Sequence, residues 1–384
     1  MKRVDVKPVR FKGIDTNPSL LGFGCMRFPR LDPDKPDIDE AASEKLIDAA
    51  YARGVTYFDT AYPYHGGQSE TFIGNALKKY PRDAFFLASK MPGWKLESVD
   101  DAERIFHEQL SKCQVDYFDY YLCHALNQSG YEQYKLPGVM DFLWRMKAEG
   151  KIKHLGFSFH DTPDVLETIL HDHPWDFVLL QINYLDWTFQ DARRQYELVK
   201  EKKIPCMVME PVRGGTLATL CESSRAILQA HAPNRSIASW AMRYAAGLDN
   251  TLLVLSGMTT MEHVEDNCDT LSDFTPLSDT EQDVLNEALK VFLANSTIPC
   301  TQCDYCMPCP EGVDIPGTFS VYNEYLLSKF DAMFVGRYEG LGKKSANACV
   351  DCGVCVPLCP QSIDIPERMQ AIREAYDRVK ADKS

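Results

Sequence analysis

The forty residues from Phe85 to His124, FFLASKMPGWKLESVDDAERIFHEQLSKCQVDYFDYYLCH, decide the fold. Both ends, Phe85 to Lys90 and Tyr117 to His124, are short apolar runs of strand type, and between them Val99 to Cys113 carries apolar residues every three to four positions, as a helix does. The same alternation extends in both directions. Candidate strands are Leu20 to Cys25, Thr56 to Asp59, His154 to Ser158, Phe177 to Ile182, Pro205 to Met209 and Leu252 to Leu255, with helical runs such as Ala41 to Arg53 and Asp191 to Lys202. Strands alternating with helices imply a parallel sheet. Eight strands in about 275 residues favour a closed (β/α)8 barrel of the TIM type, an α/β architecture, over an open doubly wound sheet. No G-x-G-x-x-G turn follows the first strand, which weakens the open-sheet alternative further.

The chain is long enough for this barrel (1–280) and one smaller domain (281–384). No run reaches the apolar length of a bilayer span, and the start Met1-Lys2-Arg3-Val4-Asp5 lacks a signal-peptide core, so a soluble, cytoplasmic protein with no membrane partner is expected. A formal charge of -14 argues against nucleic acid, whose binding rests on clustered Lys and Arg. Of the 14 cysteines, Cys25, Cys113, Cys123, Cys206, Cys221 and Cys268 are scattered singly, as small apolar residues are. The other eight crowd into two runs near the C-terminus.

In such a barrel the chemistry sits where strands end. Asp59 closes the second strand, Tyr64 follows in its loop, Lys90 closes the third and His124 the fourth. Any one of these has an ordinary packing or solvation role available to it. Four at consecutive strand ends point to a site. Asp59-Thr60-Ala61-x-x-Tyr64, followed by Gly66-Gly67-Gln68-Ser69-Glu70 and Gly74, is similar to the signature of aldo-keto reductases, and Val115 to Asp119 with His124, and Lys153 to Ser158, resemble that family's next motifs. The resemblance covers about residues 15 to 275. It implies a pyridine-nucleotide-dependent carbonyl reductase or alcohol dehydrogenase with the tetrad Asp59, Tyr64, Lys90 and His124. Carbonyl reduction needs a hydride at carbon and a proton at oxygen. A free phenol is a weak acid at neutral pH, so Tyr64 needs the Lys90 ammonium to lower its pKa, Asp59 to keep Lys90 charged, and a hydrogen bond from His124 to place the carbonyl oxygen.

The resemblance also implies cofactor contacts: Ser158 and Gln181 to the nicotinamide carboxamide, Met209 beside its ring, and Pro211, Val212, Arg213, Gly214, Gly215 and Leu217 against the pyrophosphate. Ser256, Gly257, Met258, His263, Asp266 and Asn267 resemble the adenosine-binding stretch. Met209 stands where many members have an aromatic ring, and Gly257 and His263 where many have the Lys and Arg that hold a 2′-phosphate. NADP and NAD both stay open. Tyr62, Trp94, Tyr184, Trp187 and Met258 are candidates for the substrate wall, and the substrate expected is a small carbonyl or alcohol.

The crowded cysteines are Cys300, Cys303, Cys306 and Cys309 before Pro310, and Cys349, Cys352, Cys355 and Cys359 before Pro360. The second run has the spacing C-x2-C-x2-C-x3-C-P, in which three cysteines hold one 4Fe-4S cluster and the fourth reaches another. By that pattern Cys300, Cys303, Cys306 and Cys359 hold one cluster, and Cys349, Cys352, Cys355 and Cys309 the other. The first run has two residues before its last cysteine rather than three, so one cluster stays open beside two. Zinc is the alternative, but evenly spaced fours with a trailing Pro do not suit it. Thr318 to Asn347 has helical spacing at Phe319, Tyr322, Leu326 and Phe330, giving a small, mostly helical, ferredoxin-like iron–sulfur domain. It resembles the extension of one aldo-keto reductase branch.

Oxygen-sensitive clusters point to an anaerobe. Three roles are open to them: structural or sensing beside independent hydride chemistry, passage of single electrons from a ferredoxin-like partner to the barrel, or service in a non-catalytic nucleotide-binding redox regulator.

Overall fold

The computed structural model describes residues 2–5, 11, 14–32, 35–189, 191–298, 300, 302, 304–328, 331–359 and 363–381. Cys303, Phe330 and Pro360 of the sequence reading lie outside the described residues. Among the described residues, eight parallel strands close in sequence order: β1 (Leu21–Gly24), β2 (Tyr57–Asp59), β3 (Phe86–Met91), β4 (Phe118–Leu126), β5 (Ile152–Phe159), β6 (Phe177–Gln181), β7 (Cys206–Met209) and β8 (Thr251–Ser256). β1 pairs with β8 through Leu21 to Val254, which completes the cylinder. The open-sheet alternative is thereby excluded.

Successive strand residues point to opposite faces, so each strand supplies two rows. Tyr57, Ala88, Tyr120, Leu122, Phe177, Leu179, Met207, Leu253 and Leu255 fill the barrel interior. Phe58, Leu87, Tyr121, Leu155, Val178, Val208 and Val254 face the surrounding helices. Asp59, Lys90, His124, Gln181 and Met209 belong by this parity to the inward row, beyond the apolar plug, and that is what turns them into one mouth. The interior is tight: a Cβ on Gly156 of β5 would stand 2.4 Å from the Phe177 carbonyl oxygen of β6.

β4 runs past His124 to Leu126, two residues beyond the end expected from the sequence. Its register on β5 shifts between Cys123 and Leu126, and Ala125 takes a positive φ of 53°. The Ala125 amide donates to Ser158 Oγ at 2.7 Å, so the extra residue of this bulge is satisfied by β5.

The chain divides into two compact units, 1–218 with 235–279, and 219–234 with 280–384. The segment 219–234, expected in the first domain, groups with the second. Within it Ser224 Oγ donates to the Ala288 carbonyl at 2.9 Å. The second unit has its own core, built on Val313, Ile315, Phe319, Phe334, Tyr338, Ile365, Met369, Ile372 and Tyr376. Helices Ile315–Ser328 and Ile365–Ala381 both follow a cysteine run, and the sequence Cys-Pro-x-x-[Val/Ile]-Asp-Ile-Pro recurs at 309–316 and 359–366. Asp314 and Asp364 start these helices alike: Asp314 Oδ1 accepts from the Gly317 amide at 2.9 Å, Asp364 Oδ1 from the Glu367 amide at 3.2 Å. No helix among the described residues is long and apolar enough to cross a membrane.

Candidate active site

The Lys90 ammonium sits at the centre of the mouth. It donates to Asp59 Oδ1 at 2.5 Å, to the Thr60 carbonyl at 2.7 Å and to the Tyr64 hydroxyl at 3.2 Å. Lys90 is 1% exposed and Asp59 3%. Burial works against charge on Lys90, but the Asp59 carboxylate and the Tyr64 phenol outweigh it and hold its pKa above the ordinary lysine value. Burial pushes the Asp59 carboxyl upward against the pull of Lys90. At a separation of 2.5 Å the mutual attraction favours the ionised form of both groups and opposes the effect of burial on each.

Tyr64 departs from expectation. Lys90 does pull its pKa down, but the desolvation of the enclosed phenol is the larger effect, and the net shift is upward. The site thus holds Tyr64 as a neutral hydroxyl. His124 lies edge-on to Tyr64, ring centres 6.0 Å apart, and its pKa falls well below the usual imidazole value because of burial, then the Lys90 charge. It is a neutral ring; the His124 backbone amide donates to Tyr134 Oη at 2.9 Å, and Nδ1 is buried without a partner among the described residues.

Behind the strand that carries Lys90, a second polar layer is buried. Gln109 Nε2 donates to the Lys90 carbonyl at 3.0 Å and to Glu70 Oε1 at 2.6 Å, and Ser89 Oγ also donates to Glu70 at 2.6 Å. Asp119 plays a comparable structural part at the other end of β3. Its Oδ2 accepts from the Leu87 amide at 2.9 Å and from Arg82 at 2.7 Å.

Two adjoining cavities open here. One, of about 380 Å³, is lined by Asp59, Tyr64, Lys90, His124, Ser158, Gln181, Met209 and Gly257 together with Met26, Arg27 and His160. The other, of about 240 Å³, is lined by Pro211, Val212, Gly214, Gly215, Ser256, Gly257, His263, Asp266 and Asn267. Arg27, Glu210, Leu255 and Gly257 line both. Three of the residues that resemblance assigns to the cofactor line neither: Leu217 and Met258 are buried in the core, and Arg213 Nε is held 3.1 Å from Asp186 Oδ1. Of the wall candidates, Trp94 is exposed and packs on His124 at 5.1 Å, whereas Tyr184 and Trp187 pack against Tyr244, and Tyr62 under Lys112.

Sequence reasoning passed over Arg27. Its Nη2 lies 3.0 Å from Glu210 Oε1, and Glu210 Oε2 in turn accepts from the Gly214 amide. The signal available was position alone, a cation just after β1. A Cβ on Gly257 would come within 2.8 Å of the Arg27 side chain, so the absence of a side chain there is what leaves room for this pair. Gly214 and Gly215 have positive φ, and an added Cβ on Gly215 would meet nothing within 4 Å. The cleft is open backbone, suited to close approach by a phosphate-bearing chain.

In the second unit, Cys309 from the first run and Cys349, Cys352 and Cys355 from the second line one cavity, with Val313, Ile315, Ile365 and Met369 behind them. Four thiols in an apolar setting are the donor set of a sulfide cluster. Of the other set, Cys300, Cys306 and Cys359 pack at the edge of the same core. Among the described residues no group of three or more His, Cys, Asp or Glu converges as a site for a single metal ion.

Residues 20–290 match the model of the aldo/keto reductase family, and residues 299–364 that of a 4Fe-4S dicluster domain. L-galactose dehydrogenase of Arabidopsis thaliana is 24% identical over 75% of this chain and 94% of that protein. A probable aldo-keto reductase of Glycine max is 28% identical over 56% of this chain, which spans 62% of that relative's length. Among solved structures, an aldo-keto reductase from Bacillus halodurans superposes with a TM-score of 0.60 at 23% identity, covering 74% of this chain and 96% of that one. One from Klebsiella pneumoniae, in complex with NADPH, gives 0.60 at 21%, covering 76% and 95%. These likenesses show the fold.

Proposed function

Because the chain belongs to the aldo/keto reductase family and is an oxidoreductase with a C-terminal 4Fe-4S domain, we propose that its barrel reduces a carbonyl, or oxidises the corresponding alcohol, with NAD(P) and with Tyr64 as the acid and base. One observation carries this reading: the Lys90 ammonium is locked between Asp59 Oδ1 and the Thr60 carbonyl and still reaches the Tyr64 hydroxyl, at the wall of a cavity that His124 also lines.

The dinucleotide supplies the hydride when bound. Tyr64 hands its proton to the substrate oxygen, and the fixed charge of Lys90 stabilises the phenolate left behind. Because Asp59 already holds the ammonium in place, no reorganisation is needed as charge develops. The neutral His124 ring contributes a hydrogen bond rather than a proton. Ser158 and Gln181 are candidates for the carboxamide, and the open backbone at Gly214 and Gly215 for the pyrophosphate. Gly257 and His263, in place of stronger cations, favour a nucleotide without a 2′-phosphate.

In the second unit Cys309, Cys349, Cys352 and Cys355 hold one 4Fe-4S cluster, and Cys300, Cys303, Cys306 and Cys359 a second. Clusters held by these thiolates would supply one-electron transfer, with a ferredoxin-like carrier as the partner. Support comes from the four thiols that share a cavity and from their uneven origin, one from the first run and three from the second.

Tyr64→Phe tests the barrel reading. Turnover of simple aldehydes should fall by about 10²- to 10⁴-fold while the Kd for NADH and NADPH, read by fluorescence, stays within about twofold. Retained turnover would remove the assignment.

A further inference from the structure

We propose that the loop 350–358 is the docking face through which a small soluble iron–sulfur carrier protein exchanges electrons with the cluster held by Cys309, Cys349, Cys352 and Cys355. The inference rests on the cluster reading above and adds the place where the partner meets it. Val350, Val354, Val356 and Leu358 are between 37% and 61% exposed, an unusual concentration of open aliphatic side chains within nine residues. They alternate with Cys352, itself exposed, and Cys355, both of which line the four-cysteine cavity. The apolar collar therefore flanks the exposed Cys352 at the rim of the four-cysteine cavity.

Two properties identify the occupant. The first is size. A stable dimer needs roughly 800 Å² and 20–30 residues on each side, which four side chains of one loop cannot supply, whereas electron-transfer encounters fall at the small end of interface areas. The second is charge. From Ser345 to Ser362 Asp351 is the sole Asp, Glu, Lys, Arg or His, and its Oδ2 lies 3.5 Å from Arg373; Glu311 is the one charged side chain lining the cysteine cavity among the described residues. An apolar collar with so few charges suits a carrier whose own rim is apolar around its redox centre, and it makes the encounter short-lived and only weakly dependent on salt. In the exchange one electron leaves the reduced iron–sulfur centre of the carrier and enters the cluster. No bond is made or broken, and no proton moves.

The test uses the full chain, purified anaerobically, with a reduced bacterial ferredoxin carrying two 4Fe-4S clusters as the probe and dithionite as a small-molecule control. Val354→Ser combined with Leu358→Ser should lower the second-order rate of cluster reduction by the ferredoxin about tenfold, by loss of apolar contact at the centre of the patch. Iron content, the electron paramagnetic resonance signal and the dithionite rate should be unchanged. The parent's ferredoxin rate should change less than about twofold between about 0.05 and 0.3 M salt. Equal rates for parent and variant, or a steep salt dependence in the parent, would overturn the docking face while leaving the cluster intact. A parent dimer in sedimentation that the substitutions dissociate, or vesicle binding that they abolish, would assign the collar to a second copy or to a membrane instead. A parent without iron would overturn the cluster reading beneath it.

Discussion

Lys90 keeps its charge where burial alone would remove it, chiefly through a carboxylate 2.5 Å away and secondly through the Tyr64 phenol. Breaking such a pair from one side leaves an uncompensated buried ion, so Lys90→Met should cost about 3–5 kcal/mol of stability. Adding Asp59→Asn should restore most of that loss without restoring turnover, a separation that urea unfolding and steady-state rates can read on the same samples. The phenol gives a pH prediction of definite sign. Reduction needs Tyr64 protonated, and burial raises its pKa above the ordinary 10.0. Reductive kcat should hold level to about pH 9 and fall only as the pH rises through the elevated value. A decline centred near neutral pH would show that another group supplies the proton. This sign is not legible in the sequence, where the neighbouring ammonium is visible and the desolvation is not. Arg27 was hidden for a similar reason: its partner Glu210 is distant in the chain and meets it only when β1 and β7 are brought to one mouth.

At the level of elements, hydrophobic period sufficed to find all eight strands to within a residue or two, since a strand buried on both faces is a short apolar run. The parity that turns Asp59, Lys90 and His124 inward follows from the same alternation. What period could not register is the bulge at Ala125, which depends on the Ser158 hydroxyl of the next strand. Close approaches between elements were equally silent. A Cβ on Gly74, in helix Ser69–Leu77, would come within 2.7 Å of the backbone at Cys113 in helix Val99–Cys113. Gly74→Ala should therefore destabilise the protein by about 1–3 kcal/mol through overpacking, seen as a lower denaturation midpoint with little change in slope. Gly215→Ala meets no such contact, and its cost should come from the positive φ alone, about 1 kcal/mol.

Over the whole molecule, cysteine spacing announced the second domain, and the grouping of Cys309 with Cys349, Cys352 and Cys355 followed from it. Residues 219–234 lie within the segment that matches the barrel family but group with the second unit by contact, because a helix's sequence carries no mark of the unit it packs in. The core of the second unit is small and abuts the cysteines, so metal binding there is also folding energy. Removal of iron with a chelator and oxidant should increase amide exchange across 298–379 while the barrel retains its nucleotide affinity. The central claim, hydride chemistry at Tyr64, is met most directly by following a label. NADH and NADPH deuterated at C4 are incubated anaerobically with an aldehyde panel, and the alcohols are analysed by mass spectrometry. The account predicts one deuterium at the former carbonyl carbon with the parent and about 10²- to 10⁴-fold less with Tyr64→Phe. Reduced product without deuterium, or equal labelling by the variant, would contradict it.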